Sequence, residues 1–484
     1  MSEENTSTTT DNSARTHDEA PAPSLAEFMR TGWSETNQAN LAPLEVVTYA
    51  FSRREILSQA FAGIRLLLPA GGYKVRSNDT DYSFRPHSAF AYYSGVQGAD
   101  ATADAVLVLE PSEGSHISYL YMNPRSTRDT DAFYKDTKYG ELWVGTRFTL
   151  DEARYHYQID TRGLSELEML LGDGQETLVL RDVDLGLDKK IKLHAREEEF
   201  STFLSEQRLC KDSYEIRELQ DAVDATALGF TDVVAALPAA IETPRGERVL
   251  DAAFYGRARI LGNDLGYNTI VGAGSHACVL HWNRNDGDVR PGELVLVDAG
   301  VELESFYTAD ITRTLPVDGR FSPAQRALYM LVYEAQLAGF AAIRPGVLFS
   351  EINRACQEVL ARGLADMGVL TISAEESMQP EVGLHRRWTL HGVSHHLGLD
   401  VHDCAQARKE MYLDAPLREG MVFTVEPGLY IQPDDELFLA EYRGIGIRIE
   451  DDVVVTADGY RNLSENIPRH PDDIEKWMQR ILIR

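Results

Sequence analysis

The segment PGELVLVDAG, residues 291–300, has a counterpart in EGMVFTVEPG, residues 419–428 of the same 484-residue chain. Each segment reads as a turn, an apolar run typical of a buried strand, a carboxylate, and a glycine two residues later. Two copies of one supersecondary unit predict a domain built by duplication, in which Asp298 and Glu426 face each other across a pseudo-twofold axis. A chance similarity between two buried strands is the alternative interpretation.

Further carboxylates and a histidine-rich segment lie around the two copies. Asp310 follows the first copy, and Glu450 lies in the strand-like segment 446–455 after the second. Between the copies comes the segment 390–403, which contains four histidines. Carboxylates at the ends of apolar strands are costly to bury unless they are paired, protonated or bound to metal. Because four converging carboxylates would repel one another, bound cations are the simplest resolution.

This set of side chains predicts a dinuclear metal site. Four carboxylates with one imidazole form a mostly hard ligand set, which suits Mn²⁺ and, less selectively, Co²⁺ or Zn²⁺. Two ions about 3.5–4 Å apart activate a water against a carbonyl or phosphoryl group. Taken singly, each residue has a plainer interpretation, since an Asp at a strand end usually caps a turn and a lone His is usually a hydrogen-bonded core residue. The whole set favours the metal site.

Composition divides the chain into three parts. Residues 1–41 carry seven acidic and two basic residues and too few apolar side chains to offset the entropy of ordering, which predicts a disordered tail. Residues 42–205 alternate helical segments with apolar runs, which predicts an α/β domain. Residues 206–484 form the domain that contains the duplication. The predicted strands of the first domain are 64–68, 105–109 and 178–180.

Three helices of the second domain are predicted from their N-terminal signals. Asp212 with Glu215 indicates a capping box, and the helix is expected to run to residue 236. The pair Ser322-Pro323 places a proline at the first position of a second helix, which is expected to continue to residue 343. Ser350 is the expected N-cap of a third helix.

The charge and the cysteines limit the partners and the compartment. The formal net charge is −29, which argues against nucleic acid or an anionic membrane as a partner, since both are bound through Lys and Arg. Four widely spaced cysteines form neither a disulfide framework nor a Cys-x-x-Cys motif, which predicts reduced thiols. The N-terminal segment has no apolar core typical of a signal peptide. A cytoplasmic protein is expected.

Five segments of the chain, taken together, closely resemble aminopeptidase P, the Xaa-Pro aminopeptidase of the pita-bread metallopeptidase family, over about residues 45–480. The resemblance implies an α/β chain with an N-terminal α/β cap domain of the creatinase/prolidase N-terminal type. It also implies a C-terminal duplicated pita-bread α+β catalytic domain, in agreement with the internal repeat. The segments that carry the resemblance are 296–300, 309–314, 391–403, 424–430 and 444–451.

The resemblance also implies roles for individual residues. Glu426 is the expected proton acceptor, His402 the donor to the developing oxyanion, and His391 a residue that orients the substrate. The implied metal ligands are Asp298, Asp310, His395, Glu426 and Glu450, with Asp298 and Glu450 bridging two ions. The implied substrate-binding residues are His281, Tyr267, Arg448, Asp79 and Arg208, the last two in a polar contact near the mouth of the site.

The implied reaction is hydrolysis of the bond between an N-terminal residue and a penultimate proline, so the expected partners are peptides with proline at the second position. A homo-oligomer, a dimer or tetramer, is expected. A prolidase, which cleaves only Xaa-Pro dipeptides, is the nearest rival because it shares all five ligands. A methionine aminopeptidase would not need the whole N-terminal domain. A non-catalytic peptide-binding pita-bread protein, or a metal-free creatinase-like hydrolase, would have lost ligands that are all present here.

Two segments depart from the family's pattern. The connection between Asp298 and Asp310 is slightly longer, which predicts a bulge or a longer turn. The segment 404–417, which follows His402-Asp403, differs as well. These departures affect the expected preference for particular side chains of the substrate. They do not affect the predicted metal site.

Overall fold

The structure is a computed structural model that describes residues 22–34 and 41–483. The rest of the predicted disordered tail lies outside the described residues. Within the tail, residues 23–29 form helix α1 (Pro23–Met29), contrary to the prediction. Trp33 packs edge-to-face against Phe133 with ring centroids 5.4 Å apart, and the guanidinium of Arg128 lies 4.5 Å from the Trp33 ring. These aromatic contacts with the N-terminal domain support a segment whose average composition is polar.

The N-terminal domain is built on a mixed five-stranded sheet in the order β6-β5-β4-β1-β7. All five residues of β1, which lies between β4 and β7, are buried, as its apolar run predicts. The predicted strands 64–68, 105–109 and 178–180 correspond to β1, β4 and β7, so the α/β prediction is confirmed. The helices are α2 (Val47–Ala60), α3 (Ser88–Ser94), α4 (Ala132–Lys135), α5 (Glu141–Val144), α6 (Leu150–Tyr157), α7 (Leu167–Leu171), α8 (Leu185–Lys190) and α9 (Glu197–Glu206). The strands are β1 (Arg65–Pro69), β2 (Val75–Ser77), β3 (Thr80–Asp81), β4 (Val106–Ser112), β5 (Ser115–Met122), β6 (Asp160–Gly163) and β7 (Thr177–Val179).

The C-terminal domain places short antiparallel sheets against long helices. The helices are α10 (Ser213–Glu242), α11 (Gly246–Leu261), α12 (Pro323–Ala342), α13 (Ser350–Asp366), α14 (Ala374–Ser377), α15 (Lys409–Tyr412) and α16 (Pro471–Leu482). The strands are β8 (Asp264–Leu265), β9 (Ile270–Ala273), β10 (Leu294–Ala299), β11 (Val301–Glu302), β12 (Ile311–Pro316), β13 (Val422–Val425), β14 (Gly428–Tyr430), β15 (Gly446–Arg448), β16 (Asp451–Val455) and β17 (Tyr460–Asn462).

The duplication predicted from the two similar segments is present in the sheets. Strand β10 lies between β9 and β12 and pairs antiparallel with both, while β13 pairs antiparallel with β16. In each repeat a carboxylate lies at the end of the first strand: Asp298 is the penultimate residue of β10, and Glu426 directly follows β13. The partner strand begins directly after a second carboxylate, which is Asp310 for β12 and Glu450 for β16. The fully buried guanidinium of Arg313 in β12 joins the repeats, since it donates to Asp451 Oδ1 over 2.8 Å and to the Glu450 carbonyl over 2.6 Å.

The predicted helix starts agree with the structure in two cases of three. Asp212 with Glu215, and Ser322 with Gln325, form capping boxes at α10 and α12. Ser350 is instead the first residue of α13 and does not cap it, because Phe349 occupies the N-cap position with helical backbone angles. Helix α10 also extends to Glu242, beyond the predicted end.

Helix α10 is, within the described part of the chain, the one helix that is long and apolar enough to cross a membrane by length and composition alone. A core helix of a soluble protein passes the same test. Leu219, Phe230 and Val233 of α10 are fully buried in the hydrophobic core of the C-terminal domain.

The two segments that depart from the family's pattern have defined structures. The connection from Asp298 to Asp310 contains β11 and a turn in which Phe306, only 1% exposed, adopts a φ of 69°. That backbone region is unusual for a bulky residue, and it accommodates the longer turn that the sequence predicts. The second segment begins with Cys404 at a φ of 61° and contains α15. All four cysteines are unpaired.

Gly300, which follows Asp298 and Ala299, lies where its backbone segment approaches the segment of Ala309 most closely. A Cβ atom on Gly300 would lie 1.7 Å from the carbonyl oxygen of Ala309 and 3.2 Å from the ring of Tyr267. Backbone atoms cannot rotate away as side-chain ends do, so the two chain segments that carry Asp298 and Asp310 would have to separate.

We expect Gly300→Ala to lower the free energy of unfolding by about 3 kcal/mol, the upper end of the usual cost of overpacking. Urea denaturation followed by circular dichroism measures this change. Gly256→Ala in α11 is the matched control, because a Cβ atom there meets nothing within 4 Å. The control should be stabilised by about 0.5–1 kcal/mol, since Ala favours a helix interior. Equal stability of the two variants would contradict the prediction.

Candidate active site

The five predicted metal ligands come together where the two repeats meet. Asp298 is the penultimate residue of β10, Asp310 directly precedes β12, Glu426 follows β13, and Glu450 lies between β15 and β16. His395 lies in the loop before β13 and is held by its backbone, since the Thr424 N–H donates to the His395 carbonyl over 3.0 Å. All five line one cavity of about 490 Å³, together with Tyr267, His281, His391, His402 and Arg448.

The donor atoms of these side chains are close enough to share a cation. His395 Nε2 lies 3.2 Å from Asp310 Oδ2 and 3.5 Å from Glu426 Oε1. Asp310, His395 and Glu450 each offer one donor atom within 4.8 Å of the others. The hydroxyl oxygen of Tyr267 lies 2.6 Å from Asp298 Oδ1 and 2.5 Å from Asp310 Oδ1, so its one proton is available to either carboxylate, and the contact connects Asp298 to the group.

The carboxylates are crowded and buried. Burial, reinforced by the charge of Asp310, raises the pKa of Glu426 to about 7, and the same two causes raise the pKa of Glu450 well above its usual range. Burial also raises the pKa of Asp298, although the nearby Arg448 opposes it. Burial opposes the charge of His395, but the hydrogen bond with Asp310 and the negative charges of Glu426 and Asp310 together outweigh it and raise the pKa to about 9. The site therefore needs more positive charge than the chain supplies.

The donor set fits divalent metal ions. Carboxylate oxygens and one imidazole nitrogen are suitable ligands for Mn²⁺, Co²⁺ or Zn²⁺, and bound cations would let the acids ionise together. Arg448, 4% exposed, is the main cation of the chain at this site. Its Nη2 donates to Asp298 Oδ2 over 2.5 Å, and its Nε donates to Thr312 Oγ1 over 3.1 Å. The Thr312 hydroxyl donates in turn to Glu450 Oε2 over 2.6 Å, so one network orients ligands from both repeats.

Among the described residues the neighbouring histidines make no hydrogen bond to a carboxylate, although His391 Nδ1 lies 3.6 Å from Glu426 Oε2. His391 Nε2 lies 2.8 Å from the Tyr430 hydroxyl, and burial lowers the pKa of His391 to about 4. The ring of His402 packs edge-to-face on His395 with centroids 4.4 Å apart, and burial lowers its pKa as well. His281 lines the same cavity. The lowered pKa values of His391 and His402 favour their neutral forms, so these two rings are arranged to meet a ligand in the cavity as neutral hydrogen-bonding groups.

Two predicted substrate-binding residues are not in the cavity. Asp79 lies in the exposed turn between β2 and β3, and no hydrogen bond or ion pair joins it to Arg208 among the described residues. The predicted contact is wrong because Arg208 instead meets Asp400 at 3.3 Å and the buried Asp403 at 3.2 Å. Lys211 Nζ donates to Asp403 Oδ2 over 2.7 Å. This buried cluster fixes the loop that carries His402, so Arg208 acts on the site only through that loop.

Three contributing residues were not predicted as site residues. Tyr430 accepts a hydrogen bond from Arg448 Nη1 over 3.0 Å, and Thr312 joins Arg448 to Glu450. Asp452 Oδ2 accepts from the backbone N–H of Asp310 over 3.0 Å. Each lies in or next to a segment singled out from the sequence, and Asp452 ends a run of three acidic residues after an apolar strand. This run of acidic residues was the sequence signal that could have identified Asp452 as a site residue.

Family comparisons match both domains. Residues 217–457 match the family model "Metallopeptidase family M24", and residues 49–177 match "Aminopeptidase P, N-terminal domain". The chain is 50% identical over 458 residues to Xaa-Pro aminopeptidase 1 of Streptomyces coelicolor, covering 94% of this chain and 91% of that protein. It is 33% identical to the Xaa-Pro aminopeptidase of Escherichia coli, covering 90% of this chain and 98% of that protein.

Solved structures show the same similarity in three dimensions. A variant of Escherichia coli aminopeptidase P in complex with substrate superposes with a TM-score of 0.79 at 31% identity, covering 92% of this chain and 100% of the other. An aminopeptidase from Pseudomonas aeruginosa superposes with a TM-score of 0.78 at 28% identity and the same coverage.

Proposed function

Because the chain belongs to metallopeptidase family M24 and carries the N-terminal domain of aminopeptidase P, we propose that its cavity holds two divalent metal ions, of which Mn²⁺ suits the donors best. The chain is a metallo-exopeptidase that removes the N-terminal residue of a peptide before a proline. The observation that carries the proposal is the convergence of four buried carboxylates and one imidazole from both repeats. The side chains that would hold the ions are Asp298, Asp310, His395, Glu426 and Glu450.

The side chains divide the chemistry among them. When bound, the metal ions polarise the scissile carbonyl and lower the pKa of the attacking water. Glu426 accepts the proton of that water and passes it to the leaving nitrogen of proline. His402 donates a hydrogen bond to the oxygen of the scissile carbonyl as negative charge develops there. His281 and His391 orient the prolyl residue, and Arg448 and Tyr267 hold the ligand Asp298 in place.

The substrate's proline places a requirement on such a site. The bond before proline is a tertiary amide without an N–H, so the site cannot align the substrate through that donor. Polar side chains around the prolyl ring must supply the alignment, and His391, which lines the cavity and is held by Tyr430, is placed to do so.

The N-terminal domain supports the exopeptidase activity by its contact with the loop before His402. Arg85 Nη2 donates to the Leu399 carbonyl over 2.5 Å, and Ser88 Oγ donates to Asp400 Oδ1 over 2.5 Å. Val401 lines both the active-site cavity and a smaller cavity of about 380 Å³ against the N-terminal domain. We infer that the cap limits the space on this side to a single residue of the peptide.

Cleavage of Arg-Pro-Pro distinguishes an aminopeptidase from a prolidase. We expect the release of free arginine, because an aminopeptidase of this kind accepts a peptide that continues beyond the proline. A prolidase cleaves only the dipeptide Arg-Pro and would leave Arg-Pro-Pro intact. Chromatography of the products against an arginine standard measures the result, with Arg-Ala-Ala as the control peptide that should remain intact. Cleavage of Arg-Pro without any cleavage of Arg-Pro-Pro would favour the prolidase and contradict the aminopeptidase.

The assembly, the compartment and the domain boundary are further proposals. We propose a cytoplasmic homo-oligomer, a dimer or tetramer, with the domain boundary near residue 205. Four unpaired cysteines support a reducing compartment, and the exposed side chains of Leu142, Trp143 and Val144 form apolar surface available for a subunit contact. Light scattering after size-exclusion chromatography tests the assembly, and a monomer at micromolar concentration would contradict it. Recovery in an extracytoplasmic fraction would contradict the compartment.

A further inference from the structure

A second cavity opens directly beside the active site. It has a volume of about 530 Å³ and shares His391, Gly392 and Ser394 with the active-site cavity, so the two form one continuous space. Its walls are the first turns of α13, the segment 378–386 and the segment 409–414. Gly392 lies at the junction, where a Cβ atom would meet nothing within 4 Å, so the passage between the cavities is open.

The charge of this second cavity is opposite to that of the protein. Its lining includes Arg354, Arg386 and Lys409 but only one acidic residue, Asp414, in a chain with a formal net charge of −29. Lys409 Nζ lies 3.3 Å from Asp414 Oδ2, so the charges of these two side chains largely cancel. Arg354 is paired with glutamates of its own helix, so Arg386 is the positive charge of the lining that remains without a carboxylate partner among the described residues, and such a charge attracts a carboxylate.

Arg386 is the cation of the cavity that is free to bind a ligand. Arg354 is held by two glutamates of its own helix, Glu351 at 2.6 Å and Glu358. Arg386, in contrast, donates from Nη2 to the Leu390 carbonyl over 2.8 Å and has no carboxylate partner among the described residues. A guanidinium with unused donors matches a carboxylate in geometry and charge.

A buried amide in the same cavity lacks part of its hydrogen bonding. Gln357 is 5% exposed, and its Nε2 donates to Thr389 Oγ1 over 3.3 Å. Its carbonyl oxygen, Oε1, is buried without a hydrogen-bond partner in the described part of the chain. Buried polar atoms are almost always satisfied, so an unpartnered acceptor in a cavity wall indicates a ligand that brings a donor. A peptide N–H is such a donor.

The position of the cavity relates it to the substrate. The N-terminal residue of the peptide lies towards the cap, on the side of Val401, as described above. The chain beyond the proline must then leave on another side, and His391, which orients the proline, lines both the active-site cavity and the second cavity.

We propose that the second cavity binds the part of the peptide beyond the proline and selects peptides that carry a carboxylate there, with Arg386 as the residue that determines this specificity. The proposal rests on the proposed function, because it names the substrate class of the same site. The carboxylate comes either from the C-terminus of a short peptide or from an Asp or Glu side chain of a longer one. Gln357 Oε1 accepts a backbone N–H of the same segment.

A peptide series tests the proposal. The parent is Ala-Pro-Ala-Ala-Ala-Ala with an amidated C-terminus, and Asp is placed in turn at positions 3 to 6, a scan of about 10 Å of extended chain. A second arm truncates the parent stepwise with a free C-terminal carboxylate, which separates the two sources. We expect the best-placed carboxylate to raise kcat/KM about three- to tenfold over the uncharged parent, as for a partly exposed charge pair. The gain should shrink as ionic strength rises.

Two variants and a control test whether Arg386 causes the gain in kcat/KM. Arg386→Gln should remove most of the gain, so that its kcat/KM for the Asp peptides falls to its own kcat/KM for the uncharged parent, and Arg386→Glu should favour Lys over Asp at the same position. Arg290→Gln, at an exposed arginine that lines neither cavity, should keep the gain. Equal kcat/KM for all peptides, or a gain unchanged in Arg386→Gln, would overturn the inference and leave the proposed function intact. Failure to cleave any peptide of the series would overturn the proposed function itself.

Discussion

Asp310→Asn is expected to lower kcat by at least about 10³-fold while leaving the fold intact. Asp310 Oδ2 lies 3.2 Å from His395 Nε2, and Oδ1 accepts from Tyr267, so both oxygens face the centre of the proposed metal site. The amide of Asn keeps the shape but removes the charge that holds a cation. A metal ion contributes several kcal/mol to the stabilisation of the transition state, and each 1.36 kcal/mol corresponds to a factor of ten in rate.

The measurement combines kcat, metal content and circular dichroism on the same preparation. Asp318→Asn is the matched control, because Asp318 lies exposed in the turn after the same strand, β12. The control should retain wild-type kcat and wild-type metal content. A turnover of Asp310→Asn close to the wild-type rate, with a native spectrum, would show that Asp310 is not a ligand.

Removal of the metal ions should abolish turnover reversibly. Dialysis against a chelator is expected to reduce activity below detection, and added Mn²⁺ should restore it, because four buried carboxylates cannot remain ionised together without bound cations. The midpoint of thermal unfolding should rise when Mn²⁺ is returned, since a ligand that binds only the folded chain stabilises it.

Two comparisons make the metal experiment decisive. Chelator saturated with Ca²⁺ before dialysis controls for effects of the chelator that do not depend on metal removal. Asp310→Asn should show a smaller thermal shift with Mn²⁺ than the wild type, which ties the stabilisation to this site. Activity that survives removal of all metal, verified by elemental analysis, would defeat the proposed mechanism. Restoration by Zn²⁺ or Co²⁺ but not by Mn²⁺ would correct the identity of the metal alone.

Much of the fold and of the metal site could be predicted from the sequence, because the relevant signals are local. The strands β10 and β13 are continuous apolar runs that end at Asp298 and Glu426, and alternation within a strand determines which face a side chain takes. The two similar segments also predicted that the carboxylates of both repeats would meet. The structure confirms the duplication and brings all five predicted ligands to one cavity.

Contacts between distant segments could not be predicted in the same way. Arg208 and Asp400 are separated by 192 residues in the chain, as are Lys211 and Asp403, so only the packed tertiary structure selects one acidic partner over another. Asp79 was an equally acceptable partner in charge but lies in an exposed hairpin. The second cavity escaped prediction for a similar reason, since apart from residues 391–394 its lining comes from three separate segments that no motif marks.

The division of the site between two repeats, joined by Arg313 across the buried strands, has a consequence for the maturation of the protein. A nascent chain that has emerged only through the first repeat contains Asp298 and Asp310, but it lacks His395 and both glutamates. Metal affinity depends on the folded arrangement of all ligands, so the centre forms only after residue 450 has left the ribosome. A chain that terminates before residue 450 therefore lacks part of the ligand set and cannot form the metal centre or hydrolyse peptides. Activity is accordingly limited to chains whose synthesis is almost complete.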